Sequence, residues 1–234
     1  PTYFAATGRQ MSLAKLLTGF DDSALEELEQ RHRLLPEVKA AYQRMQQAAA
    51  GDGIELALVS SYRSFAQQAR IWTAKYTGQR PVYNKAQQQI DISPLDGFAK
   101  IEAILLYSAL PGASRHHWGT DLDVFDKAAV TTDYQVQLLD AEYQQGGPFY
   151  ALDQWLQQRA ARFGFFRPYQ RDQGGVAKEA WHLSYRPLAE HYLNNFDEIM
   201  LTDAIAQSEL PDKALLLEYI PLIYQRYVCN ICKE

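Results

Sequence analysis

Three short polar runs carry the residue types that hydrolytic chemistry requires: Ser60-Ser-Tyr-Arg63-Ser, Ser114-Arg-His116-His117-Trp-Gly119-Thr-Asp121-Leu-Asp123, and Glu179-Ala-Trp-His182. A catalytic zinc ion takes three nitrogen or oxygen ligands from the protein and keeps a fourth position open. His116, Asp123 and His182 would supply one such set. A straight strand cannot bring the first two together, because seven residues at about 3.3 Å each would hold them roughly 23 Å apart. Gly119 lies between them and can turn the chain so that the imidazole returns over the carboxylate. Glu179, three residues before His182, is then placed as the general base for amide hydrolysis, because a nearby metal brings water close to neutral pKa. Arg63 adds a fixed positive charge that either stabilises an oxyanion or binds a substrate carboxylate. Asp121 shares the face of Asp123, where it either orients a ligand or is solvated, the first being preferred. His117 reads as a neighbour of the site rather than a ligand, and Trp118 and Trp181 as packing residues flanking it. His32 and His191 are expected on the surface of helices.

The elements that must hold these residues follow from periodicity. Gly119 to Phe125 alternates, with Asp121, Asp123 and Phe125 on one face and Leu122 and Val124 on the other, as a strand does. Ile54 to Ser60 reads as a strand leading into a polar loop, and Phe165-Phe166-Arg167 and Trp181 to Tyr185 as two more. Phe65 to Tyr76 is expected to be helical, as is a segment opening at Pro94-Leu-Asp-Gly, with Ile101, Ile104, Leu105 and Tyr107 inward, stopped by Pro111-Gly112. Ala151 to Phe163 forms a further amphipathic helix ended by Gly164. Near the start, Asp22-Ser23 before Glu26 resembles a helix cap, and Leu25, Leu28, Leu34, Val38, Tyr42 and Met45 recur at helical spacing up to Gly51-Asp52-Gly53. Tyr76 to Pro94 reads as a long surface excursion, and 187–227 as helical with breaks at Pro211 and Pro221. Strands scattered among helices without a βαβ rhythm predict an α+β fold, a small antiparallel sheet flanked by helices. Residues 1–186, N-terminal helices included, would form one peptidase domain, with 187–234 a helical extension packed on it.

The whole chain sets outer bounds. Its 234 residues carry a formal charge of -5, with 47% hydrophobic and 22% charged residues, an ordinary globular composition without support for a nucleic-acid partner. No apolar run approaches the roughly 18 residues of a membrane span. The chain opens at Pro1 without methionine, as a processed or trimmed form would, and a removed signal peptide would leave no trace. Cys229 and Cys232 form a C-x-x-C that is either a small local disulfide or two free thiols, and no further cysteine completes a second zinc site.

Together the three runs resemble the VanY-like D-alanyl-D-alanine carboxypeptidases among the LAS-type zinc peptidases. The family's S-x-Y-R-S-x-x-x-Q stands as Ser60, Tyr62, Arg63, Ser64 and Gln68. Its S-x-H-x-x-G-x-x-x-D stands as Ser114, His116, Gly119 and Asp123, and its E-x-W-H as Glu179, Trp181 and His182. The resemblance spans Ile54 to Tyr185, and Phe163 to Pro168 is similar to the family's penultimate strand. It implies one zinc ion on His116, Asp123 and His182, Glu179 as base, Arg63 at the scissile carbonyl, and Gln68 and Ser114 on the peptide. It also implies a hedgehog/DD-peptidase-like fold, a peptidoglycan stem peptide as substrate, and a periplasmic or otherwise extracytoplasmic location. Two features depart from the pattern. Many members carry alanine where Asp121 stands, so the metal's surroundings here are expected to be more acidic, and the helical C-terminal segment exceeds the minimal family domain. The leading function is removal of a terminal D-amino acid, D-alanine first, from stem peptides. A peptidoglycan endopeptidase with the same metal site is the alternative, and a catalytically silent zinc-containing binding domain a third reading, disfavoured by the presence of Glu179.

Overall fold

The computed structural model describes residues 8–234. In chain order it contains α1 (Gly8–Leu17), β1 (Glu26–Leu28), β2 (His32–Leu34), α2 (Pro36–Gly51), β3 (Leu56–Ser60), α3 (Phe65–Tyr76), β4 (Val82–Tyr83), β5 (Gln89–Ile90) and α4 (Gly97–Leu105). A short 3-10 turn, Arg115–Trp118, precedes β6 (Asp121–Asp126). There follow α5 (Asp140–Tyr143), α6 (Tyr150–Arg159), β7 (Phe165–Phe166), β8 (His182–Tyr185), α7 (Arg186–Asn195), α8 (Glu198–Ala206) and α9 (Lys213–Ile223). The central sheet has four antiparallel strands in the order β3-β6-β8-β7, and helices flank it, as the α+β expectation required.

Several elements arise where the local sequence places them. Ser64 caps α3 by accepting the Gln67 amide, while the Gln67 side chain accepts the Ser64 amide, a reciprocal capping box. Gly164, at φ 88°, ends the turn that closes α6, and a Cβ there would lie 2.7 Å from the Tyr185 ring.

The segment before α2 differs from the expectation. Glu26–Leu28 and His32–Leu34 form a hairpin, and the helix begins only at Pro36. Glu29 and Gln30 adopt φ of 48° and 65°, left-handed backbone that folds the chain between the two strands. Leu28 and Leu34 are both buried on the hairpin's inner face, a spacing of six that alternation satisfies and that a helix would set about 120° apart. Asp21 Oδ1 accepts both the amide and the hydroxyl of Ser23, forming a turn and not a helix cap. Consequently His32 sits on a strand, half-buried, its Nδ1 2.9 Å from Ser61 Oγ. His191 lies exposed on α7 as expected. Within the Tyr76–Pro94 excursion, β4 and β5 pair as a second hairpin, and Tyr107 lies beyond the end of α4, half-exposed in the cleft described below.

Two apolar clusters support these elements. One lies between the sheet and α2 and α6, around Tyr42, Met45, Leu122, Val124, Trp155, Trp181 and Leu183. The other joins α3 and α4 to the C-terminal helices, through Trp72, Ile101, Ile104, Trp118, Leu201, Ile205, Leu216 and Ile220. No helix among the described residues is long and apolar enough to cross a membrane.

Candidate metal centre and substrate cleft

Antiparallel register builds the centre. Asp123 pairs with Ser60 on one side and with His182 on the other, so three polar residues from β3, β6 and β8 stand in one row across the sheet. Directly opposed residues in such a ladder have Cβ atoms about 4.5–5.5 Å apart, close enough for one small ion to span. His116 reaches the row from the 3-10 turn. Ser114 caps that turn by accepting the His116 amide, and Gly119 ends it at φ 71°. A Cβ on Gly119 would lie 2.6 Å from Leu25 and 3.1 Å from Leu35, so backbone and space both require glycine.

Backbone hydrogen bonds stitch the three runs together. The Arg63 amide donates to the His116 carbonyl, and the His116 Nδ1–H to the Ser61 carbonyl at 2.8 Å. That leaves His116 Nε2 facing Asp123 Oδ2 at 3.4 Å. The Glu179 amide donates to the Tyr169 carbonyl and the Val124 amide to the Trp181 carbonyl, which seats Glu179 to His182 beside β6. His182 turns Nε2 to Asp121 Oδ2 at 2.7 Å, while Nδ1 lies 3.6 Å from Asp123 Oδ1 and 3.1 Å from Glu179 Oε2. The Tyr169 ring stands edge-on to the His182 imidazole, centroids 4.9 Å apart.

These residues fit a metal ion. One donor atom each from His116, Asp123 and His182 lies within 4.8 Å of the others, and all three side chains are buried. Asp123 Oδ1 is buried with no hydrogen-bond partner, an acceptor lone pair that protein interiors rarely leave unused. Each imidazole has its outer nitrogen fixed, by Ser61 or by Asp121, and its inner nitrogen facing the centre, that of His116 toward Asp123 and that of His182 between Glu179 and Asp123, the arrangement that orients metal-binding histidines.

The local electrostatics follow from burial and close charges. Burial opposes the charge on His182, yet its hydrogen bonds to Asp121 and Glu179 and the carboxylates of Asp121 and Asp123 raise it to about 10. Burial and the Arg63 guanidinium lower His116 against the pull of Asp123. For Asp123, burial is outweighed by His116, His182 and Arg63, which hold its carboxyl below the usual range. Burial raises Glu179 above an ordinary glutamate.

The remaining expected residues divide clearly. Arg63 donates from Nε to Gln68 Oε1 at 3.0 Å and from Nη1 to Ser60 Oγ at 2.8 Å, and Gln68 Nε2 donates to the Ala109 carbonyl at 2.8 Å. Arg63, Gln68, Ser114, His116, Asp123, Glu179 and His182 therefore line one cleft of about 540 Å³, a size suited to a short peptide. His117 is no ligand: its Nδ1–H donates to the Arg63 carbonyl and its Nε2 accepts the Gly112 amide, and burial lowers it to about 3. Trp118 is buried in the helical cluster, while Trp181 packs on the sheet and reaches the cleft. Cys229 and Cys232 are free thiols away from the cleft.

Sequence reasoning missed Arg115. Its Nε donates to Asp121 Oδ2 at 2.9 Å and its Nη2 to Ser184 Oγ at 2.7 Å, and Asp121 also accepts from Thr120 and Ser184. Asp121 is thus a buried, paired carboxylate behind His182, not a solvated one. The only signal for Arg115 was a cation beside His116, six residues from an acid of unknown partner. Lys75, Ser108 and Tyr169 also line the cleft and carried no local signal at all.

Comparisons with known proteins bear on the family and the fold. The family model described as VanY, D-alanyl-D-alanine carboxypeptidase, matches residues 31–188. An uncharacterised protein of Haemophilus influenzae is 33% identical over 121 residues, 51% of this chain and 92% of that protein. A protein of Enterococcus faecalis called D-alanyl-D-alanine carboxypeptidase is 29% identical over 168 residues, 70% of this chain but only 52% of its own length. Among solved structures, a mutant of the vancomycin-resistance D,D-pentapeptidase VanY in complex with Zn(II) gives a TM-score of 0.50 at 26% identity, covering 74% of this chain and 90% of that one. The LdcB LD-carboxypeptidase gives 0.51 at 21% identity, covering 90% and 81%, a likeness of fold alone.

Proposed function

Since this chain belongs to the VanY D-alanyl-D-alanine carboxypeptidase family, we propose that it is a zinc-dependent carboxypeptidase removing a terminal D-amino acid, D-alanine first, from peptidoglycan stem peptides outside the cytoplasm. The observation that carries this reading is the unpartnered Asp123 Oδ1 set between His116 and His182, with Glu179 beside it. The Zn(II) held by a related VanY supports the choice of metal.

His116, Asp123 and His182 would hold the zinc ion, which would supply Lewis acidity to a carbonyl oxygen and to water there. Glu179 then takes the proton of the attacking water and delivers it to the leaving amine nitrogen, and its raised proton affinity suits both halves of that transfer. A guanidinium has five N–H donors, of which Gln68 and Ser60 occupy two. Three remain for the carbonyl oxygen, and the two acceptors hold the group in a fixed orientation. Ser114 accepts the His116 amide and keeps its own O–H to donate, while Gln68 keeps one amide N–H. These two groups would receive the peptide's terminal carboxylate.

The test is to incubate the zinc-loaded protein with matched stem peptides, free acid and C-terminal amide, and to identify the products by mass spectrometry. The free acid should lose one terminal D-alanine. Amidation removes a charge-assisted hydrogen bond, about 1.5–3 kcal/mol, and should lower kcat/KM roughly ten- to a hundredfold. Equal cleavage of the two peptides would overturn the carboxypeptidase reading and favour an endopeptidase on the same metal site.

A further inference from the structure

The α3 wall of the cleft carries more positive charge than the chemistry above uses. Arg63, Gln68, Ile71 and Lys75 succeed one another along α3 and its approach, and Arg80 follows from the loop beyond. Arg63 and Arg80 also line an adjoining hollow with Arg70. Among the described residues, none of Arg63, Arg70, Lys75 or Arg80 has a carboxylate within 4 Å. The chain has a net charge of -5, so acidic partners are plentiful. Elsewhere Lys85, Arg115, Arg167 and Arg226 each find one. Three unpaired cations in the cleft, Arg63, Lys75 and Arg80, with Arg70 in the hollow beside it, mark a surface that awaits an anion.

Lys75 is the informative member. It is half-buried, and its ammonium donates to Ser108 Oγ, which leaves two of its three N–H donors without a protein acceptor. Burial, followed by the charges of Arg80 and Arg63 and against that of Glu179, lowers it to about 8, so the bare ammonium is held there at a cost that an anion would relieve. Its place along the cleft is defined by its neighbours. Ser60 binds Arg63, Arg63 binds Gln68, Gln68 binds the Ala109 carbonyl, and Ser108 beside Ala109 binds Lys75. A row of donors therefore runs from the Asp123 end of the sheet to the Lys75 ammonium.

We propose that Lys75 and Ser108, with Arg80 near them, form an anion subsite of the cleft that binds a carboxylate of the peptide substrate. The substrate class is thereby a peptide whose anionic charge lies close to the scissile bond. That carboxylate is either the C-terminal one of the leaving residue, shared with Ser114 and Gln68, or an acidic side chain of a neighbouring residue. The inference rests on the peptidase reading for the nature of its ligand.

Four peptides with one shared scissile bond separate the sources: terminus free with an acidic side chain, terminus amidated, side chain amidated, and both amidated. Each is titrated by calorimetry into the zinc-loaded Glu179→Gln chain with Lys75 intact, and with Lys75→Met or Lys75→Arg added. Turnover is measured in parallel with Glu179 intact. Lys75→Met should weaken binding and raise KM about ten- to a hundredfold for the free peptide, with kcat changed little, and Lys75→Arg should restore most of the loss. The amidation that abolishes the Lys75→Met effect identifies the carboxylate. Arg80→Gln, an exposed substitution, should give a smaller effect of the same pattern and serves if Lys75→Met fails to fold. An effect that is absent, or that persists in full on the doubly amidated peptide, overturns the subsite. Failure of the peptidase reading looks different: no residue is released from any peptide, while the calorimetric difference remains.

Discussion

Replacing Asp121 with alanine removes a carboxylate of zero side-chain exposure on which four donors converge: Arg115 Nε at 2.9 Å, His182 Nε2 at 2.7 Å, Thr120 Oγ1 at 2.7 Å and Ser184 Oγ at 2.8 Å. Here the loss falls chiefly on Arg115. Its side chain is 3% exposed, its Nη1 is already without a partner, and it lies over the Trp118 and Phe166 rings. Breaking a buried ion pair from one side costs about 3–5 kcal/mol, because the remaining charge stays desolvated. Most of that should appear in the metal-free protein, as a lower urea midpoint at neutral pH, and it is a large share of a typical stability of about 5–15 kcal/mol. A second readout is zinc affinity. With His182 no longer held at Nε2, the dissociation constant should rise about ten- to a hundredfold. The control is Arg115→Met. In that background Asp121→Ala should cost at least about 2 kcal/mol less, since no cation is stranded. A single Asp121→Ala variant within about 1 kcal/mol of the parent, or equal costs in the two backgrounds, would refute the pairing argument.

Other outcomes follow from the same geometry. Metal analysis after dialysis should find near-stoichiometric zinc in the parent and a sharp loss in His182→Ala, and full retention there would sink the ligand assignment. Glu179→Ala should keep fold and metal but lose about 10²–10⁴-fold in kcat, while turnover near the parent value would move the base role to another group. Gly119→Ala must place a Cβ 2.6 Å from Leu25 at a φ of 71°, and should lower stability by about 1–3 kcal/mol in thermal melts, whereas an unchanged melting point would contradict the turn geometry.

Much of the site was legible because it is encoded locally. The alternation from Gly119 to Phe125 placed Asp121 and Asp123 on one face, and pairing with β8 then set His182 directly opposite Asp123. Gly119 marked the turn that returns His116 to that row. The hairpin at Glu26–Leu34 was not legible, because its turn uses left-handed backbone at Glu29 and Gln30, neither a glycine. Pro36 was the better clue, since proline is tolerated in the first turn of a helix and disrupts its interior. Arg115 and Lys75 escaped for another reason. Their meaning depends on what lies across the fold, and a cation reads alike in sequence whether it meets Asp121, Ser108 or water.

The two apolar clusters explain why the cleft needs residues beyond the sheet. Asp123 and His182 are carried by strands whose inward faces, Leu122, Val124 and Leu183, belong to the cluster beneath α2 and α6. The helix that follows Arg63 and bears Gln68 and Lys75 buries Phe65 and Trp72 in the other cluster, together with Leu201, Ile205, Leu216 and Ile220 of the C-terminal helices. Asp123 and His182 thus rest on one core and the α3 wall on the other, while His116 is carried by the turn whose Trp118 belongs to the second. What registers them against each other is the short stretch from Ser60 to Ser64, where Ser61 fixes His116, the Arg63 amide meets the His116 carbonyl, and the Arg63 carbonyl accepts from His117. His117 is neutral and bonded at both nitrogens, so its role is to hold these two halves in place. The helices from 187 onward pack against Phe65 and Trp72 of α3 in this second core, and so support the wall that carries Gln68 and Lys75.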